Sequence, residues 1–332
     1  MQDPLFTATL LAWYDAHGRD LPWRRTKDPY AIWLSEIILQ QTRIAQGLSY
    51  WERFMDRFPD YHALAAASED EVLRLWEGLG YYSRGRNLLT AARQIEERGS
   101  FPDTLEEIRA LKGVGDYTAA AIASIAFGIP AAVVDGNVYR VLARFYGIAT
   151  PVGTTAAKKE FTERAQSLLP ADRPGDFNQA MMDFGAMQCT PASPACLVCP
   201  LASRCDALKT GRTNLLPVKK APISVRDRHL RYIYLRCGGE TAIRRRGPGD
   251  IWQGLWEPLV QEVRFTDFPG QRLLRSGVKH QLTHQHLTVD FYLLECKEKP
   301  VLPEGYLWIP ETDLDKYGKP RLFELLIKAL NA

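Results

Sequence analysis

Two carboxylic acids and four thiols have the types and spacing to do chemistry in this chain. Glu36 lies within "WLSEIILQQT", an apolar helical stretch, on one stripe with Gln40 and Arg43. That stripe reads as the wet side of an amphipathic helix. It reads equally as an acid in a half-apolar pocket, where lost solvation raises its pKa and lets it deliver a proton near neutral pH. Asp135 opens "VVDGNVYRVLARF" after an apolar run, where an aspartate reads as a helix N-cap. Cys189, Cys196, Cys199 and Cys205 fall within 17 residues, spaced C-x6-C-x2-C-x5-C. Four thiolates so close suit a metal centre. Structural zinc favours two C-x2-C pairs, and only one pair is that tight here, so a 4Fe–4S cube fits better. Zinc and an unliganded loop remain alternatives. Gly113 and Gly115, in "LKGVGDYTAAAIASIAFG", allow a tight turn with open backbone N–H groups before a small-residue helix. That geometry holds an anion such as a phosphate, although any helical hairpin can use glycines.

The elements that must position these groups are legible in outline. Up to about Lys209 the chain is strongly helical, as in "LTAARQIEERG" and "TAAKKEFTERAQSLL", with breakers such as "RFPDY" and "GSFPD". "TGRTNLLPVKKAPIS" reads as a linker. After it, "RHLRYIYLRC", "GVKHQLTH" and "HLTVDFYLLEC" have the β-branched and aromatic content of strands, and "RLFELLIKALNA" that of a closing helix. The expected organisation is a helical domain over residues 1–210, a linker over 211–224 and a smaller α+β domain over 225–332. Cys237 and Cys296 read as strand residues of that second core.

At 332 residues, with 46% hydrophobic and 24% charged residues, the chain has the makings of a soluble globular protein of about two domains. Its net charge of +3 is mild. The excess is local: Lys209, Arg212, Lys219, Lys220, Arg226, Arg228 and Arg231 face only Asp227 in the same run. That run is either a solvated linker or a track for a phosphate backbone. The N-terminus has neither a basic n-region nor a long apolar run, so no signal peptide or membrane anchor is expected. The expectation is a reducing, cytoplasmic setting in which the six cysteines form no disulfide framework.

The cysteine loop, 189–205, resembles that of the endonuclease III and MutY DNA glycosylases, and residues 111–128 resemble the helix-hairpin-helix of the same superfamily. "LPWRRTKDPYAIWLSEIILQQT", "WEGLGYYSRGRNL", "VVDGNVYRVL" and "FNQAMMDFGAMQC" are similar to the MutY adenine DNA glycosylases in particular, and the likeness covers nearly the whole chain. It implies a mainly α helix-hairpin-helix glycosylase fold with an iron–sulfur loop, followed by a smaller α+β Nudix-like domain. It also implies that the fold brings Glu36 and Asp135 to one cleft. There one carboxyl would protonate the departing adenine and later help activate water, and the other would stabilise the cationic or covalent sugar intermediate. Tyr117 and Asn137 would support that site, and Leu21, Trp23, Arg24 and Asp183 would line the adenine pocket. Gln41 and Tyr81 would wedge into the duplex to help offset unstacking. The cysteine loop, with Arg204 inside it and Lys209 and Arg212 after it, would organise a basic surface.

The lyase members carry a lysine immediately before the hairpin threonine, where this chain has Tyr117 before Thr118. A tyrosine cannot form an imine, so a monofunctional enzyme is expected. "RRRGPGDIWQGLWEPLV" and "KHQLTHQHLTVDFYLL" resemble the Nudix-like domain, without the hydrolase signature. The family's Phe-Ser-His loop, which senses 8-oxoguanine, corresponds here to Leu282-Thr283-His284, so the aromatic is missing. The implied partner is duplex DNA carrying A:8-oxoguanine or A:G, bound by a monomer at the nucleoid with no membrane involved. The rival expectations are an endonuclease III-like glycosylase/lyase and a non-catalytic iron–sulfur DNA-binding protein.

Overall fold

The computed structural model describes residues 3–220, 225–262, 270–282 and 284–330. Its helices, in chain order, are α1 (Pro4–His17), α2 (Pro29–Leu39), α3 (Ile44–Arg57), α4 (Tyr61–Ala65), α5 (Glu69–Leu75), α6 (Ser83–Arg98), α7 (Leu105–Ala110), α8 (Asp116–Phe127), α9 (Gly136–Tyr146), α10 (Thr155–Leu168), α11 (Pro174–Asp183), α12 (Asp206–Lys209) and α13 (Arg321–Leu330). The strands are β1 (Arg226–Cys237), β2 (Glu240–Arg245), β3 (Trp256–Glu257), β4 (Leu259–Glu262), β5 (Arg272–Gln281), β6 (Gln285–Glu295) and β7 (Tyr306–Pro310). The chain divides into two compact units, Met1–Ala65 with Thr90–Ala221, and Ala66–Leu89 with Pro222–Ala332.

In the first unit, α2 is the central helix. Asp28 caps it by accepting from Tyr30 N at 3.0 Å, and Pro29 supplies a first-turn residue with preset φ. Every residue from Tyr30 to Ile38 is buried, so α2 has no wet stripe there and Glu36 is only 9% exposed. A helix apolar on all sides belongs inside a core. Around it, α8 presents the buried alanines Ala119, Ala120 and Ala121, which allow close helix approach. Gly175, early in α11, touches α8 backbone to backbone: a Cβ there would lie 2.7 Å from the Ser124 carbonyl oxygen. Phe6, Leu10 and Trp13 of α1, Val141 and Leu142 of α9, Phe161 of α10 and Phe177 of α11 fill a shared apolar cluster.

The second unit is built on a seven-stranded mixed sheet, ordered β3-β2-β1-β6-β5, with β4 also on β1 and β7 also on β2. Strand β1 runs parallel to β6 over its whole length and antiparallel to β2 and β4. Its stretch Tyr232–Leu235 is buried on both faces. Tyr232 and Tyr234 join a cluster with Leu322, Phe323 and Leu326 of α13, while Ile233 and Leu235 join a smaller one on the other face. Cys237 is buried at the end of β1, but Cys296 is only half-buried because it lies just beyond the end of β6. The sequence placed both in the core, and that holds for Cys237 alone.

Gly175→Ala is expected to lower the stability of the first unit by about 1–3 kcal/mol, because the added methyl meets rigid backbone rather than a movable side chain. Denaturant unfolding followed by far-UV dichroism measures this. An unchanged midpoint would mean that α8 and α11 do not pack at the distance described.

Candidate active site

The first unit contains a cavity of about 420 Å³ whose lining includes Leu21, Trp23, Arg24, Glu36, Tyr117, Asp135 and Asn137. A second cavity of about 390 Å³ shares Glu36, Tyr117 and Asp135 and is bounded by Gln40 and Gln41. The two carboxylates far apart in sequence therefore meet in space, and both cavities reach them.

Their environments differ. Burial in α2 raises the Glu36 carboxyl to about 7, opposed by a hydrogen bond from Tyr117 and by the Arg24 charge, and reinforced by the negative charge of Asp135. Tyr117, at the start of α8, keeps its hydroxyl in reach of Glu36 and 3.3 Å from Met182 Sδ. Burial and the neighbouring carboxylates hold its phenol well above the usual range, so it stays a neutral donor. Asp135 is the N-cap of α9 as well as a cavity residue: Oδ1 accepts from Val138 N at 2.8 Å and Oδ2 from Asn137 Nδ2 at 2.8 Å. Burial raises its carboxyl, and these donors oppose the shift. The cap and the cavity role are thus carried by one side chain.

Asp183 requires a correction. It does not line the cavity: it is fully buried behind the wall, where Arg19 and Arg24 bind both of its oxygens. These guanidiniums hold its carboxyl below the usual range against the effect of burial. Its position fixes Arg24, whose Nη1 lies 2.7 Å from Asp183 Oδ2.

Several lining residues went unnoticed in the sequence: Arg19, Ser35, Gln179 and Met182. Gln179 stands out because its amide oxygen is buried and has no hydrogen-bond partner among the described residues. A buried acceptor left unpaired costs about 1–3 kcal/mol, and the residue that carries this one lines the cavity. Gln179 and Met182 stand three apart on one face of α11, and Ala186 follows in a π-helical turn.

The hairpin precedes α8. Gly113 has φ +80° and Gly115 caps the helix without a side chain, with open space where a Cβ would stand. The amides of the first turn are thereby left accessible. Gln41 and Tyr81 are both exposed, and both hold left-handed backbone, φ +56° and +45°. Bulky residues adopt that region only when their surroundings force it. In the second unit His284 is exposed and its carbonyl accepts from Arg226 N, while Leu282 N donates to Gln285 O. Thr283 lies outside the described residues.

Cys189, Cys196, Cys199 and Cys205 line a single small pocket together with Arg144. Arg144 is buried and donates to the Thr190 and Pro191 carbonyls at 2.7 and 2.9 Å, with Nη1 3.4 Å from Cys189 Sγ. Burial pushes the Cys199 thiol up to about 11, and the other three cysteines add to that shift. Four sulfurs around one void beside a guanidinium match the donor set and charge that a 4Fe–4S cube needs. Among the described residues no three His, Cys, Asp or Glu side chains stand close enough together to hold a single metal ion. Arg140 ties this loop to the carboxylates: it donates to the Cys189 carbonyl at 2.8 Å and to Asn137 Oδ1 at 2.8 Å. The expected basic surface is reduced, because Arg204 is bound by Asp3, Arg212 by Asp206 and Arg228 by Asp250. Lys209, Lys219 and Lys220 remain exposed.

The chain was compared with known proteins. Residues 34–171 match the model of the HhH-GPD superfamily of base excision DNA repair proteins, and residues 231–329 match the NUDIX domain. Over 213 residues the chain is 48% identical to the human protein named adenine DNA glycosylase, covering 61% of this chain and 39% of that protein. The chain thus spans well under two thirds of that relative's length. It is 34% identical to the Schizosaccharomyces pombe protein of the same name, covering 94% of this chain and 86% of that one. Among solved structures, a thermostable thymine-DNA glycosylase superposes with a TM-score of 0.57 at 30% identity, over 62% of this chain and 96% of that one.

A proton linkage follows from the burial of Glu36. Its carboxyl binds a proton more tightly folded than unfolded, so its contribution to stability is full below the unfolded value of 4.5 and is lost as pH rises to about 7. Glu36→Gln removes that loss. The variant should be more stable than the parent at pH 8, by up to about 3 kcal/mol, and the gap should close below pH 4.5. Thermal melts across this range test it, and a constant gap would contradict the assignment.

Proposed function

This chain belongs to the adenine DNA glycosylase family of the HhH-GPD superfamily, and on that premise we propose that it removes adenine mispaired with 8-oxoguanine or guanine from duplex DNA. The observation that carries the reading is the meeting of Glu36 and Asp135 at one cavity with one acid raised to about 7. A neutral carboxylic acid near physiological pH is what the departure of adenine requires, since the base leaves poorly as an anion. Glu36 protonates a ring nitrogen of the bound adenine, the glycosidic bond breaks, and the pair of electrons leaves with the base. Asp135, its oxygens steadied by Val138 N and Asn137, faces the oxocarbenium-like sugar. Glu36, now ionised, takes a proton from the attacking water. Tyr117 donates to Glu36 and offers no amine for an imine, so the reaction ends at the abasic sugar.

Recognition follows from the walls. Leu21 and Trp23 supply apolar surface for the flipped base, with Arg24 held by Asp183. The unpaired Gln179 amide oxygen accepts from the exocyclic amino group of adenine, whereas guanine would present a carbonyl at that edge. Gln41 and Tyr81 enter the duplex as wedges while the hairpin amides at Gly113–Gly115 take a backbone phosphate. Cys189, Cys196, Cys199 and Cys205, which line one pocket, would hold a 4Fe–4S cluster. Its role when bound is to cross-link the loop around it. Thr283 and His284 read 8-oxoguanine, and the enzyme acts as a cytoplasmic monomer.

Single-turnover cleavage of A:8-oxoguanine and A:G duplexes, developed with alkali, tests the reading. Glu36→Gln should slow excision by about 10²–10⁴-fold while duplex binding is retained. Substantial residual excision would refute the assignment. Gln179→Leu should slow excision by about 10–100-fold, because the amino group of adenine loses its acceptor. An unchanged rate would remove Gln179 from the base-reading wall. Purified protein should contain about four irons per chain, and stoichiometric zinc would overturn the cluster assignment.

A further inference from the structure

Tyr81 sits at the tip of a loop whose shape is not self-supporting. Gly78 and Gly80 have φ of +92° and +71°, and Tyr81 itself, 48% exposed, has φ +45°. The two glycines adopt that region freely, but Tyr81 holds it only under an outside constraint. The constraint comes from within the second unit. Trp76 is fully buried and donates Nε1 to the Gly80 carbonyl at 3.0 Å. Arg84, only 8% exposed, directs Nη2 at the carbonyls of Leu79 and Gly80, at 3.2 and 3.3 Å. The same guanidinium lies 5.1 Å from the Trp76 ring centroid and 5.8 Å from that of Tyr81. It therefore joins the buried floor of the loop, its backbone and its exposed aromatic tip. The Arg84 backbone closes the turn by donating to Tyr81 O at 2.8 Å. On the other side of the loop, the Tyr82 hydroxyl donates to the Lys319 carbonyl at 3.3 Å, which anchors its base to the C-terminal part of the unit.

We infer that Arg84 is the positioning residue for Tyr81: its guanidinium, shared between the Trp76 and Tyr81 rings and two loop carbonyls, holds the tyrosine outward as a rigid wedge. A wedge must be rigid to unstack a duplex, because a side chain free to fold back onto the protein loses the contact that offsets unstacking. Arginine suits the task where lysine does not. One guanidinium nitrogen serves two carbonyls while the rest of the delocalised plane lies near two rings, whereas an ammonium is a single compact charge. The inference rests on reading Tyr81 as a wedge, and the experiment separates the two ideas.

The full-length protein would be mixed with A:8-oxoguanine duplexes carrying 2-aminopurine beside the target adenine, whose fluorescence rises on unstacking. Excision would be measured in parallel on that duplex and on an adenine already extruded in a bulge. Arg84→Met should reduce the fluorescence rise and slow duplex excision by about tenfold, with less than about a twofold effect on the bulged adenine. Arg84→Lys should recover part of the loss, and the double variant Tyr81→Ser with Arg84→Met should be no worse than Tyr81→Ser alone. An equal slowing of both substrates would show that Arg84 merely supports the fold and would overturn the inference, as would losses that multiply in the double variant. If Tyr81→Ser leaves the fluorescence rise intact, the wedge reading fails first. If Tyr81→Ser abolishes the rise and Arg84→Met does not, the wedge stands and the positioning role falls.

Discussion

A carboxylic acid stripped of water in the middle of a protein core must find charge partners, hydrogen bonds or a proton, and the helical unit presents each of these solutions. Asp183 is fully buried between two guanidiniums and is held ionised. Asp135 is steadied by a backbone amide and by Asn137, which oppose the effect of burial. Glu36 is left with a tyrosine hydroxyl and the Arg24 charge, and desolvation outweighs them, so its pKa climbs to about 7. The three environments differ in outcome: Asp183 fixes Arg24, the donors to Asp135 oppose the upward pull of burial, and Glu36 is raised into the neutral range. Their different surroundings separate their proton affinities although the groups are chemically alike.

Burying Glu36 is a packing problem, and small residues help to solve it. The alanines of α8 and Gly175 of α11 let helices approach at backbone distance. Gly185 does the same near the start of α9, where a Cβ would fall 2.6 Å from Asn137 Cβ. That closeness places Asn137 beside Asp135 and lets Arg140 reach the Gly185 carbonyl at 2.7 Å. The cysteine loop begins immediately beyond, so the same contacts that order the carboxylates also order Cys189.

The sequence made the fold class and the pair Glu36 and Asp135 visible, because helical period, glycine positions and family motifs are local in the chain. It could not settle which side of α2 is wet, since that depends on the helices that surround it. All of Tyr30–Ile38 proved buried. Asp183 was legible as an important acid but not as one hidden behind the wall, because its partners Arg19 and Arg24 are about 160 residues away. Gln179 escaped notice because an unpaired amide oxygen is a property of the packed structure alone. Arg204 and Arg212 counted as free positive charge until Asp3 and Asp206 were seen to bind them. The grouping of residues 66–89 with the C-terminal sheet is equally invisible along the chain, for a local helical pattern does not say what it packs against.

The central claim is that burial in α2 raises the Glu36 carboxyl to about 7, so that it carries a proton near neutral pH. The most direct measurement is a titration of that one carboxyl, by carbon-detected NMR of protein labelled at glutamate, with Glu36→Gln identifying the resonance. The account predicts a midpoint of about 7. A midpoint at the ordinary glutamate value of about 4.5 would show that Glu36 is solvated and ionised, and would contradict it.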